Sequence, residues 1–245
     1  MGFADRQDAR RRPADRAPSR TIGSRVAEAA RARAPAANEF ERFCVPQNPI
    51  GVVVAVYRRR RQEDPRTRHL LIHLQDAGLA TLLVDPAAAP GPGGRQNALD
   101  VAALGRRLLD TTARLHRQPG VAQLPVSLLA GGTGVAAAVW AAAEARTAIA
   151  AIVSHGGRPD LAGPRRLAAL SAPTLLLVGA HDTAVLDLNR RARSHMRCES
   201  RLLAIPGAGH VFEGPRALTV ADLTRDWLIG HLAWPRWPRP SDPRW

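Results

Sequence analysis

At 245 residues, 45% of them hydrophobic and only 4% aromatic, the chain can build one large α/β domain around Leu, Val, Ile and Ala. Its formal charge of +14 comes from 35 Arg, with no Lys, set against 21 acidic residues. No apolar run approaches the ~20 residues of a bilayer-spanning helix, and the Arg-rich start has no apolar core of the kind a secretory signal carries.

The positive charge is spread along the chain. Residues 1–40 carry nine Arg against five acidic residues, a net of +4, which leaves +10 for the remainder. Charge spread in this way reads as a solvated surface, and an excess of Arg and Ala as a coding bias, so nucleic acid is not the expected partner. An Arg-driven binder of nucleic acid or another polyanion stands as an alternative. Asp5, Asp8 and Asp15 argue against an organellar transit peptide. Cys44 and Cys198 lie far apart, with no Cys or Cys/His spacing that suggests a metal. The expectation is a cytoplasmic protein with two reduced thiols, no metal and no cofactor.

Residues 1–40 contain few large apolar side chains and are expected to be a disordered Arg/Ala/Pro-rich tail. Phe40 to Cys44 fits a short edge strand. Folded sequence begins with Ile50 to Tyr57, a continuous apolar run suited to a strand covered on both faces. Arg58-Arg59-Arg60-Arg61 follows, read as a solvated loop or, more sharply, as an anion clamp. A helix is expected from Pro65 to Ala77, ended by Gly78, then a strand over Ala80–Asp85 and a Pro/Gly loop from Pro86 to Arg95. A long helix places Val101, Leu104, Leu108 and Leu115 on one face. Further strands are predicted at Ala148–Val153, Pro173–Gly179 and Arg201–Ile205, with a last helix from Pro215 to Leu232. The body is thus one domain over residues 41–232, followed by a Pro/Trp/Arg-rich tail at 233–245. Strands alternating with helices give a parallel sheet with right-handed crossovers, whose sites lie at the carboxyl ends of the strands.

One stretch organises this body. Leu124 to Ala130 is a strand, Gly131-Gly132-Thr133-Gly134 a very tight turn, and Val135 to Trp140 the start of an Ala-rich helix. This is the shape of a nucleophile elbow, in which a serine sits at the apex of a G-x-S-x-G turn. Here the apex is Gly132. Two later strand ends carry Asp182 and His210, so elbow, Asp and His follow in the chain order of a hydrolase triad. In such a triad the carboxylate fixes and stabilises the imidazole, which takes the proton of the nucleophile.

The body from Gly51 to Leu232 resembles the dienelactone-hydrolase-like branch of the α/β-hydrolases, in particular the domain often fused to a phosphoribosyltransferase. The resemblance rests on Asp76-Ala77-Gly78-Leu79-Ala80-Thr81-Leu82-Leu83, on Val153 to Gly163 with its Gly156-Gly157-Arg158-Pro159-Asp160, on Ala172 to Gly179, and on Pro206 to Glu213. It implies a three-layer α/β-hydrolase fold with helices on both faces of the sheet, and hydrolysis of esters or lactones by a Ser or Cys nucleophile, a His base and an Asp. Asp182 and His210 match the acid and base. Forty Arg-rich residues are too few for a phosphoribosyltransferase domain, so none is expected here.

Two departures shape the functional expectation. The family's Gly-Ala-Ser-Thr-Gly elbow has Gly132 at the serine position. Its His-Gly-Ser-Gly type loop, which supplies an oxyanion donor, is replaced by Tyr57-Arg58-Arg59-Arg60-Arg61. Loss of the nucleophile alone removes ~10⁶-fold of turnover in a serine hydrolase. Rescue is not expected from Thr133, one residue past the apex, from Ser127 or Ser154 within strands, or from Cys198 ahead of the last strand. His155 and Arg158 are expected to shape the pocket rim, and Glu213 to cap the last helix or touch a ligand. The chain reads as a degenerate ester or lactone hydrolase that takes a small ester, lactone or carboxylate ligand. The alternative is an active hydrolase working through His210 and Asp182 with an unorthodox nucleophile or an activated water.

Overall fold

A computed structural model describes residues 42–85, 100–145 and 149–232. The two tails and the Pro86–Arg95 loop expected from the sequence lie outside these residues. The elements are β1 (Arg42–Cys44), β2 (Gly51–Val56), α1 (Arg59–Gln62), α2 (Pro65–Asp76), β3 (Leu79–Val84), α3 (Val101–Leu115), β4 (Val126–Gly131), α4 (Gly134–Ala145), β5 (Ile152–His155), a 3₁₀ turn (Pro159–Ala162), α5 (Pro164–Ala169), β6 (Thr174–Gly179), α6 (Thr183–His195), β7 (Ser200–Ile205) and α7 (Pro215–Gly230).

The seven strands form one sheet in the order β1-β3-β2-β4-β5-β6-β7. All neighbours are parallel except β1, which runs antiparallel to β3 with Phe43 opposite Leu82. β2, β3 and β6 are buried along their whole length, as continuous Val/Leu runs covered on both faces require. Alternation along the strands divides the core. Val52, Val54 and Val56 pack with Leu104 and Leu108 of α3 and the small residues of α4 on one face. Val53 and Ala55 pack with Leu70 and Leu74 of α2 and Val220 and Leu228 of α7 on the other. This is the three-layer α/β-hydrolase architecture. From β3 the chain returns past β2 to β4, so the strand order reverses there, and a crevice opens at the carboxyl ends of these two strands.

Local chemistry sets the helix starts. Asp64 caps α2 by accepting from the Arg66 amide at 2.9 Å, with Pro65 in the first turn, and Asp100 caps α3 through Ala103 N at 2.9 Å.

Two expected elements differ from what is observed. The strand predicted over Ala148–Val153 forms instead over Ile152–His155. Pairing with β4 and β6 in register, Ile152 opposite Leu128 and Thr174, decides its place, and the apolar residues before it are buried as a connection. The Arg58–Arg61 segment is not an open loop. Arg59–Gln62 is a single helical turn, and its Gln62 is buried, with Nε2 donating to the Tyr57 carbonyl at 2.7 Å. Phe40, expected in the edge strand, lies outside the described residues.

Candidate active site

At the end of β4 the chain turns through Gly132 and Thr133 into α4. Gly132 has φ +56°, the left-handed conformation a nucleophile adopts at an elbow, and its carbonyl accepts the Arg158 amide at 2.9 Å. A Cβ at this position would meet nothing within 4 Å. Gly134 starts α4 directly beneath Val56, where a Cβ would come within 3.1 Å of Val56 Cγ1. The elbow backbone is therefore complete, and its apex opens onto empty space.

Asp182 and His210 come together as the sequence order implies. Ala180 N donates to the Ile205 carbonyl at 3.0 Å and His181 N to the Ala208 carbonyl at 2.9 Å, which ties the segments after β6 and β7 to each other. His210 Nδ1 then lies 2.8 Å from Asp182 Oδ2, leaving Nε2 with no partner among the described residues. The imidazole is largely exposed at 63%, and the carboxylate is 16% exposed. Asp182 also caps α6, weakly, through Val185 N at 3.4 Å.

A cavity of about 250 Å³ opens over the elbow. Gly131 to Gly134 and His155 lie at its base, and Leu70, Phe212, Ala217 and Val220 supply apolar wall. Arg58, Arg61, Arg66 and His210 bring positive or hydrogen-bonding groups to it, and no carboxylate among the described residues lines it. Arg66 is already engaged, with Asp64 at 2.7 Å and Glu213 at 2.7 Å. No ion pair joins Arg58 or Arg61 to a described carboxylate. The backbone N–H groups of Arg58 and Thr133 make no hydrogen bond among the described residues. In this fold the residue after the nucleophile and a residue in the loop after the first buried strand supply the oxyanion donors, and these two hold those places.

Under the elbow runs a chain of hydrogen bonds between residues far apart in the chain. The Thr224 hydroxyl donates to the Val220 carbonyl at 2.6 Å, so its oxygen accepts from His155 Nε2 at 2.8 Å. His155 Nδ1 then accepts the Tyr57 hydroxyl at 3.1 Å. Burial, with a smaller contribution from the Arg61 charge, pushes the His155 imidazole down to about 3, and burial pushes the Tyr57 phenol above its ordinary range. His155 is therefore a neutral structural donor–acceptor. The Tyr57 ring it holds lies against the elbow, where a Cβ on Gly131 would come within 2.9 Å of Cε1.

The remaining expected residues divide. His155 lines the cavity, but Arg158 does not; it pairs with Asp160 at 2.8 Å. Glu213 neither caps α7, whose N-cap is Gly214 with no side-chain bond, nor lines the cavity. It holds Arg66 instead. Ser127 and Ser154 are fully buried with unpartnered hydroxyls, and neither lines the cavity. Cys198 is a free thiol raised by burial, also away from the cavity. Tyr57, Thr224 and Arg66 were missed. Tyr57 could have been noticed as the only tyrosine, closing an otherwise apolar strand.

No protein-family model matches the chain. Two curated proteins of Mycobacterium tuberculosis, from strains CDC 1551 and H37Rv, both provisionally named phosphoribosyl transferases, are 43% identical to it over 193 residues. The match covers 78% of this chain and 43% of each of theirs, so the chain spans less than half the length of these relatives. Est1E from Butyrivibrio proteoclasticus superposes with a TM-score of 0.63 at 13% identity, over 79% of this chain and 94% of that one, a likeness of fold alone. Dienelactone hydrolase from Anabaena variabilis superposes with a TM-score of 0.71 at 35% identity, over 78% of this chain and 91% of that one. With that identity across nearly the whole of a solved relative, and with an elbow, an Asp and a His on the expected strand ends, the chain belongs to the dienelactone-hydrolase family of the α/β-hydrolase fold.

Proposed function

We propose that this chain is a family member of ester and lactone hydrolase ancestry that has lost serine-type turnover and serves as a binding protein for a small ester, lactone or carboxylate. The observation that carries this reading is Gly132 itself. The turn that presents a nucleophile is fully formed, yet its apex carries a hydrogen atom beside a cavity whose wall holds His210. Of the other candidate nucleophiles, Ser127, Ser154 and Cys198 are absent from the cavity lining; Thr133 lines the cavity but stands one residue past the apex, in the turn ahead of α4. The two free thiols, Cys44 and Cys198, support a cytoplasmic setting.

A fluorophosphonate probe combined with a short-chain ester assay tests the proposal. The expected result is no stoichiometric labelling and no turnover above that of free imidazole. Rapid labelling at a single site would overturn it.

A second reading is supported by the Asp182–His210 pair and the two amides that make no hydrogen bond among the described residues: slow hydrolysis by a water that His210 activates. It predicts an ester hydrolysis that fluorophosphonate does not inhibit and that His210→Ala abolishes.

A further inference from the structure

We infer that the space over Gly132 is a receptor for a small amphipathic acid, whose anionic head sits at the elbow and whose short hydrocarbon body lies along Leu70, Phe212, Ala217 and Val220. This rests on the proposed function, since a nucleophile side chain would occupy the place of the head. In a working hydrolase this volume holds the nucleophile oxygen and the acyl carbon, and negative charge appears there only in passing. Here a Cβ at 132 would have open space, so the volume is left to a ligand.

The residues lining that volume offer donors. Among the described residues, Thr133 N–H and Arg58 N–H make no hydrogen bond, His210 Nε2 has no partner, and the Arg58 and Arg61 guanidinium groups have no ion-pair partner. The opposing inventory is short. Among the described residues no carboxylate lines the cavity, and the Tyr57 hydroxyl hydrogen is committed to His155. A concave site whose described lining is rich in unmet donors and positive charge and holds no acidic side chain is completed by a ligand that brings acceptors and negative charge. Guanidinium groups suit a carboxylate or a phosphate monoester equally, and these share the chemistry that matters, a terminal oxyanion. A neutral ester supplies only a carbonyl acceptor and leaves both arginines unmet. The ligand class is therefore the acid, with an apolar body short enough for about 250 Å³.

Calorimetric titration of the full chain with hexanoate, hexyl phosphate, methyl hexanoate and hexanol, in low-chloride buffer of constant ionic strength, tests the inference. One or both acids are expected to bind with unit stoichiometry, the two arms telling carboxylate from phosphate, and the neutral analogues to bind at least about tenfold more weakly. Arg58→Gln with Arg61→Gln should cost about tenfold or more in acid affinity, while Arg190→Gln, a remote change of charge on α6, should cost under about twofold. Equal binding of acid and neutral ester, or a loss at Arg58 and Arg61 no larger than at Arg190, would overturn it. Fluorophosphonate labelling reports separately. A labelled, active chain removes the proposed function, whereas an unlabelled chain that ignores both acids removes only the receptor.

Discussion

The two halves of the site have diverged unequally. At the ends of β6 and β7, Asp182 and His210 have the geometry of an acid–base pair, with an oxygen and a nitrogen 2.8 Å apart and the far imidazole nitrogen without a partner among the described residues. At the ends of β2 and β4, the backbone has the shape of an elbow but no side chain at its apex: Gly132 stands there, and Tyr57, Arg58 and Arg61 line the cavity beside it. The halves also differ in what supports them. The acid–base pair is largely exposed on its imidazole side, whereas the elbow rests on a buried chain from Tyr57 through His155 to Thr224. The proposed loss of turnover turns on one side chain at the apex, while the scaffold beneath it is held by the core.

The largest expected effect comes from returning the missing atom. Gly132→Ser places a hydroxyl at an apex with open space, and should create single-site fluorophosphonate labelling and raise ester turnover by about 10²-fold or more. It should fall short of the ~10⁶ that a nucleophile is worth in a fully equipped site, because Arg58 and Arg61 still stand at the oxyanion loop. Adding His210→Ala should abolish the gain, and turnover at the full family level from the serine alone would show that the arginines do not matter.

The elbow's support is tested by Gly131→Ala. Its Cβ would come within 2.9 Å of a Tyr57 ring that His155 pins, so denaturant unfolding should show a loss of about 1–3 kcal/mol. Next comes the pH response. His155 takes up a proton near 6.5 when unfolded but only at about 3 when folded, so between these values the unfolded chain binds a proton that the native chain refuses. Stability should therefore fall as pH drops from about 6.5 toward 3, with a slope from this group approaching 1.36 kcal/mol per pH unit. Denaturant melts across this range should show a slope flatter by about one proton in His155→Gln. The smallest effect belongs to the other half. Asp182→Asn keeps an oxygen to cap α6 and loses only a contact whose imidazole side is 63% exposed, so unfolding should change by under about 1 kcal/mol. A loss comparable to that of Gly131→Ala would mean that the two halves are supported alike.

Much of this organisation was legible in the sequence, because it rests on runs of neighbouring residues. Val52 to Val56 and Leu175 to Val178 declare strands covered on both faces. Asp182 follows the second of these within a few residues, while His210 follows β7, a partly exposed edge strand. The features that were not legible depend on partners far along the chain. β5 took its place from registry with β4 and β6, and not from the apolar span around Ile149. The relay under the elbow joins His155 to Thr224, 69 residues away, and to Tyr57, 98 residues away, spacings that no local pattern encodes. Glu213 holds Arg66 across 147 residues, a pairing that only the folded chain makes visible.

The left-handed turn at residue 132 has one more implication. An L-residue held in that conformation carries strain of about 1–2 kcal/mol, whereas glycine adopts it freely. Glycine at 132 thus relaxes the very turn that an apex side chain would strain. A serine there is sterically open but thermodynamically uphill, so stability by itself favours the glycine.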